Sequence, residues 1–313
     1  MAHSLDRAMF ASYHGNLFQL VASNGTTTLD VGQNSVTRAA DMTTWSSICN
    51  VVSTTAAVIT TDCKVKFEYD QSGNGNTYVP SIYASANCNV SALTCAAIFR
   101  IDVPTGLPII YGGDTTNADW SAQYTMAAQA TAVGVNGGTT PISVWLSGRV
   151  PPSDAVPCCG WYGVSHSTSQ GNIAGTDFLI WTGYTNKYPP DTAPCASSHC
   201  VGADVEAFIS PTDAYAATDG DNANWIVTWD GAVAGGGTNT FCNYYNGTQL
   251  GCHLATTANQ NSGIYPREFG GGDLTQPAKG VFRSGFVSNN VITSSQAAAL
   301  KANEAAFYGI AFN

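Results

Sequence analysis

Charge is what this sequence has least of: Asp, Glu, Lys and Arg make up 10% of its 313 residues. Lys and Arg number 11 against 21 Asp and Glu, a formal net charge of −10, and so acidic a surface repels phosphate backbones and excludes nucleic acid as a partner. Long apolar runs are also missing. None approaches the roughly 20 residues that a membrane-spanning helix needs. Metal-ligand spacing is absent too: His199 lies between Cys195 and Cys200, but no second ligand pair accompanies it. Asp219 and Asp221 in "TDGDNAN" have calcium-like spacing without a downstream Glu, so that stretch reads as a plain loop. Neither metal nor cofactor is expected. No repeat, linker or low-complexity tail divides the chain, which reads as one domain over 1–313, expected to be a monomer. The opening "MAHS" has no charged-then-apolar leader and reads as a mature or recombinant start.

Cysteine, by contrast, is abundant. The ten fall into close couples: Cys49 with Cys63, Cys88 with Cys95, Cys158 with Cys159, Cys195 with Cys200, and Cys242 with Cys252. An even count in short loops suits local bridges, which persist in oxidising compartments, so the protein is expected to be secreted. Sequons at Asn24, Asn89 and Asn246 agree with that route. The adjacent pair in "VPCCGWYG" is unusual, since neighbouring Cα atoms lie about 3.8 Å apart, closer than in ordinary disulfides. It could form halves of two bridges, a pair of metal thiolates, a redox switch or a rigid sulfur surface.

Hydrophobic residues reach 44%, enough for a real core. Runs rich in Val, Ile, Thr and aromatics recur between Gly, Asn and Pro: "KVKFEYD" (64–70), "ISVWLSGRV" (142–150), "TDFLIWTGY" (176–184), "DVEAFIS" (204–210), "WIVTWDG" (225–231) and "GVFRSGFVS" (280–288). Many short strands joined by turn-rich loops predict an all-β protein, a β-sandwich with few short helices. Two segments read as helical: "SLDRAMFASYHG", capped by Ser4 and ending at Gly15, and "SSQAAALKANEAAFYG", capped by Ser294 or Ser295. In "DQSGNGN", Gly73 and Gly75 are expected at positive φ in a turn, with Asp70 bonding nearby amides. His14, His166 and His253 read as isolated surface or loop residues. The aromatic clusters "GWYG" and "CNYYNG" could stack on sugar, but aromatics in a sandwich more often fill the core.

Catalytic chemistry has to be sought among carboxylates, because few other reactive groups are present. Asp204 and Glu206 are two apart on an expected strand and so share a face. Asp273 follows three glycines, which let a backbone approach a ligand closely. A protonated and an ionised carboxyl flanking one bond are what glycoside hydrolysis uses. Taken locally, an Asp-x-Glu is more often a solvated strand face, and Gly-Gly-Asp a turn.

"HSLDRAMFASYHGNLFQL", "YDQSGNGN", the vicinal "CC", and "GGGD" followed by "GVFRSGFV" occur in the order seen in family 54 glycoside hydrolases. The chain resembles the catalytic domain of these largely fungal, secreted α-L-arabinofuranosidases from about His3 to Asn313. The resemblance implies a concanavalin-like, jelly-roll-type sandwich and a retaining, exo-acting α-L-arabinofuranosidase acting on arabinofuranosyl-bearing polysaccharides or oligosaccharides. It implies Glu206 as nucleophile, Asp273 as acid/base, and Asp204, Gly272, Cys158 and Cys159 as substrate-binding residues. The two cysteines would then form a vicinal disulfide lining the sugar pocket, a compact apolar ring able to pack on a furanose without the entropy cost of a flexible side chain. The family's arabinan-binding β-trefoil module has no counterpart in this chain. Departures from the pattern are Ala207 in place of an Asn, a longer loop bearing Cys195 and Cys200, no secure counterpart of a family Trp (Trp181 and Tyr188 are candidates), and Arg283 and Ser284 where an aromatic and an acid are common. These bear on substrate choice more than on reaction type. A β-D-galactofuranosidase and a non-catalytic, lectin-like sandwich are the alternatives.

Overall fold

The structure, a computed structural model, describes residues 2–80, 96–112, 124–126, 141–149, 160–165, 178–183, 200–205, 215–216, 221–231, 236–238, 240–254, 265–268 and 280–312. Its strands are β1 (Ala2–Ser4), β2 (Phe18–Val21), β3 (Thr28–Val31), β4 (Val51–Thr54), β5 (Val58–Glu68), β6 (Tyr78–Pro80), β7 (Ile98–Asp102), β8 (Pro108–Gly112), β9 (Tyr124–Met126) and β10 (Ile142–Arg149). They continue with β11 (Gly160–Ser165), β12 (Phe178–Gly183), β13 (Cys200–Val205), β14 (Tyr215–Ala216), β15 (Asn222–Trp229), β16 (Thr240–Tyr245), β17 (Thr248–Leu254), β18 (Tyr265–Glu268) and β19 (Gly280–Ser288), followed by the helix α1 (Ser294–Tyr308). The pairings among them are antiparallel, as expected for a sandwich.

One sheet runs β17–β16–β15–β10–β19, and β19 is flanked on its far side first by β8 and then by β1. The other runs β14–β13–β12–β11–β18–β9–β6–β5–β2–β3, with β4 and β7 also on the long strand β5. β8 pairs with both β7 and β19, so it stitches the two sheets together. Between them lies the main core, with Val144, Leu146, Trp225, Val227 and Phe282 from one sheet and Phe18, Leu20, Val65, Tyr78 and Phe99 from the other.

Alternation explains β5, whose residues swing between buried and half-exposed; it does not explain β10 and β15, which are buried almost throughout. The reason is α1, which covers their outer face. Trp145, Ile226, Tyr244, Phe286 and Ile292 pack there against Ala297 and Leu300 of the helix. Thr293, just ahead of both expected caps, closes a reciprocal capping box with Gln296, and Gly309 ends the helix at φ 66°, where a side chain would be strained.

The other expected helix does not form. β1 occupies Ala2–Ser4, and no helix lies in 5–15. The carbonyls that would open its ladder are used elsewhere: Gln71 donates to Ser4 and Arg7, and the Ala40 amide donates to Asp6. Gln71 belongs to the "DQSGNGN" turn, where Gly73 and Gly75 do lie at positive φ, 82° and 74°. Asp70 accepts from the amides of Ala2, Ser72 and Asn76, so this turn clamps the opening segment as well as reversing the chain.

Candidate active site

β14, β13, β12, β11, β18 and β9 form a contiguous ladder. Its central strand, "FLIWTG", is rich in the aromatic and branched residues that suit a pleated surface. Asp204 stands opposite Leu179, and the same row continues through Gly163 and Arg267 to Thr125. Toward the other end, Trp181 pairs with a glycine on either side, Gly160 and Gly202, and the register of β11 shifts between Gly160 and Tyr162. Glycines within strands mark such irregularities and sites of close backbone approach.

Of the proposed catalytic and substrate-binding residues, Asp204 alone falls in a described strand. Cys158, Cys159, Glu206, Gly272 and Asp273 lie outside the described residues, as do Ala207 and Tyr188. The strands fix where their segments join the ladder. The cysteine pair immediately precedes Gly160, beside Trp181; Asp273 follows β18, whose last residue, Glu268, pairs with Tyr162. Glu206 follows Val205, which pairs with Phe178 at the opposite end, three residues or about 10 Å along β12 from Trp181. The strand expected over 204–210 is described over Cys200–Val205.

Two of the departures are well placed. Arg283 is 2% exposed and lies 3.5 Å from Asp102 Oδ2, donates to Asn222 Oδ1 at 3.0 Å, and stacks its guanidinium over Tyr308 at 4.8 Å. Arg149 closes on the other oxygen of Asp102 at 2.9 Å. Ser284 bonds to Ser4, Asp6 and Tyr308. Their partners among the described residues join the two sheets, β1 and α1. This cluster was not anticipated. Its sequence signal was a charge inside an apolar strand run: Asp102 in "IFRID", Arg283 in "GVFRSGFVS" and Arg149 in "ISVWLSGRV".

A second polar cluster holds the opening segment. Arg7 ion-pairs with buried Glu304, donates to Asn303, and lies over the Phe307 ring at 4.6 Å. Burial raises the Asp6 carboxyl despite hydrogen bonds from Ser4 and Tyr308, and burial beside Asp6 raises the Tyr308 hydroxyl. His3 is enclosed against the Tyr78 ring at 3.9 Å and donates from Nε2 to the Asn76 carbonyl. Burial lowers its imidazole to about 4 against the opposing pull of Asp70. Burial also pushes Asp70 up, but His3 and the amide bonds outweigh it and leave the carboxyl below its ordinary value. Since His3 is neutral at neutral pH, the amides carry that preference there. His14 is exposed and meets Arg38; His253 lies within β17, and His166 is outside the described residues. Tyr244 and Tyr245 of "CNYYNG" are core residues. No group of His, Cys, Asp and Glu suited to a metal occurs among the described residues.

No family model matches the chain. α-L-Arabinofuranosidase B of Aspergillus niger is 25% identical over 94% of this chain and 58% of its own length. A probable α-L-arabinofuranosidase B from a strain of the same species gives the same figures. The chain thus spans less than two thirds of the curated relatives it matches. Among solved structures, a family 54 α-L-arabinofuranosidase soaked with a cyclic sulfate inhibitor superposes with TM-score 0.69 at 17% identity, covering 98% of this chain and 62% of that one. An arabinofuranosidase complexed with arabinofuranosyl-α-1,2-xylobiose gives 0.67 at 16%, with the same coverage. The resemblance read from the sequence holds: this chain is a distant relative of α-L-arabinofuranosidase B and has the fold of the family 54 enzymes.

Proposed function

We propose that this chain is the catalytic unit of a secreted, retaining, exo-acting α-L-arabinofuranosidase that removes terminal arabinofuranosyl groups from plant cell-wall polysaccharides or oligosaccharides. The observation that carries the reading is the relationship to α-L-arabinofuranosidase B over 94% of the chain. In this reading Asp273 protonates the leaving oxygen while Glu206 attacks the anomeric carbon to form a glycosyl-enzyme. The Asp273 carboxylate then takes a proton from the water that releases the sugar. Asp204 holds a sugar hydroxyl, Gly272 leaves room for the ring, and a Cys158–Cys159 disulfide packs against its carbon face. In this reading the segments bearing Glu206 and Asp273 follow β13 and β18, strands of the ladder that also holds Asp204. Bridges between Cys49 and Cys63 and between Cys242 and Cys252 support the secretory route.

Ala207, standing where the family has an Asn, favours a second reading in which another furanose, such as galactofuranose, is accepted. Release of nitrophenol from aryl α-L-arabinofuranoside and β-D-galactofuranoside, run in parallel, separates the two. Preferential cleavage of the arabinoside is expected, with the α-anomer as first product by NMR. Binding of arabinose with neither substrate cleaved would instead identify a lectin-like protein.

A further inference from the structure

The tripeptide Asn-Gly-Thr occurs at 24–26 and again at 246–248, each time at the turn of a β-hairpin. Sequence alone cannot separate the two as acceptors of N-linked sugar. Their surroundings do.

Asn24 is exposed at the tip between β2 and β3, with Gly25 at φ 74° and open space around it. Its Oδ1 accepts from the amides of Thr26 and Thr27, an Asx turn, and Nδ2 donates to the Thr27 hydroxyl at the surface. Substitution of one Nδ2 hydrogen leaves the Oδ1 contacts intact.

Asn246 is 4% exposed and at φ 47°. Its Oδ1 accepts from the Asn224 amide at 2.7 Å, and its Nδ2 donates to the Asn222 carbonyl at 3.2 Å, so the side chain is bound into the backbone of β15. Helix α1 lies over the turn: a Cβ on Gly247 would come within 3.1 Å of Ala298 Cα and 3.3 Å of Lys301. A sugar on Nδ2 has no path to solvent that leaves the helix in place.

We infer that Asn24 is a glycan acceptor and that Asn246 stays bare in every correctly folded molecule. In the transfer, Nδ2 of Asn24 forms a bond to C1 of the first N-acetylglucosamine of a polyprenyl-diphosphate-linked oligosaccharide. The C1–O bond to the diphosphate breaks, the amide proton goes to a carboxylate of the host transferase, and the lipid diphosphate leaves. The inference rests on the secretory route proposed above.

The test directs the full chain into a yeast secretory pathway with an added leader, then maps secreted, protease-resistant protein by mass spectrometry after amidase release of glycans in ¹⁸O-water. Because the readout is mass, it stands apart from furanosidase activity, which is assayed on the same preparation. Labelled conversion at position 24 and an unmodified Asn246 peptide are expected. Thr26→Ala should remove one glycan, and Thr248→Ala, at an exposed residue, should change neither glycan content nor secretion. A glycan on Asn246 in folded protein, a bare Asn24, or the loss of a glycan in Thr248→Ala would overturn the inference.

Discussion

Carboxylates occur in two different settings in this protein. Around β1, β10, β19 and α1, Asp6, Asp102 and Glu304 are fully buried, and each is answered by a cation or by hydroxyls. On the ladder β13–β12–β11–β18, Asp204 sits in a row with Gly163, and the proposed acids Glu206 and Asp273 belong to the segments that follow its strands. The lesson is that burial beside a cation or hydroxyls marks a carboxylate that holds the fold, since an unanswered charge inside is expensive. A catalytic carboxylate must keep some of its bonding capacity for substrate. In a chain with so few charges, each kind should be separable by experiment.

The sharpest separation comes from Glu206→Gln. Turnover of aryl arabinofuranoside should fall by about 1000-fold or more, a barrier increase of roughly 4 kcal/mol, with the melting temperature unchanged. Retained activity would end the nucleophile assignment. Asp102→Ala should do the reverse. Removing it strands Arg283, and breaking a buried pair costs about 3–5 kcal/mol, to be read from denaturant midpoints, while activity per folded molecule is kept. If activity per folded molecule dropped instead, the two regions would not be distinct.

Acid should weaken the clamp on the opening segment. His3, neutral in the fold with its imidazole lowered to about 4, keeps an ordinary affinity near 6.5 when unfolded, so between those values the unfolded chain binds the extra proton. Stability is fully present above about pH 6.5 and is lost as pH falls toward 4, by about 3 kcal/mol in all. Asp70, lowered in the fold, loses its contribution in the same direction at lower pH, whereas Asp6, raised, is least favourable above the ordinary carboxylate range. Melting curves across this range should be flatter for His3→Gln, which keeps a donor for the Asn76 carbonyl. The smallest effect belongs to Thr293→Ala, which removes the α1 cap and should cost about 1 kcal/mol without altering activity.

How much of this was legible depended on how local the cause was. β19 coincides with the run read from its composition, and β10 differs by one residue, because branched and aromatic residues mark strands wherever they pair. β13 was placed late: "CVGA" is small-residued and carries no alternation signal, so its strand character comes from β12 beside it. The helix wrongly expected after Ser4 fails because of Gln71, a partner far along the chain that no local pattern reveals. Asp102 and Arg283 were invisible as a pair for the same reason. The site carboxylates were visible as residue types, but resemblance, not spacing, gave them roles.

The pairing of β1 with β19 also constrains how this chain can be made. Ser4 meets Ser284 across 280 residues, and Arg7 meets Glu304 on α1. Contacts so distant in sequence close late, because the loop entropy must be met before they contribute. A ribosome must therefore deliver β19, some 280 residues on, before β1 can dock. Until then β19 presents an unpaired edge beyond β8, the kind of surface on which nascent chains aggregate.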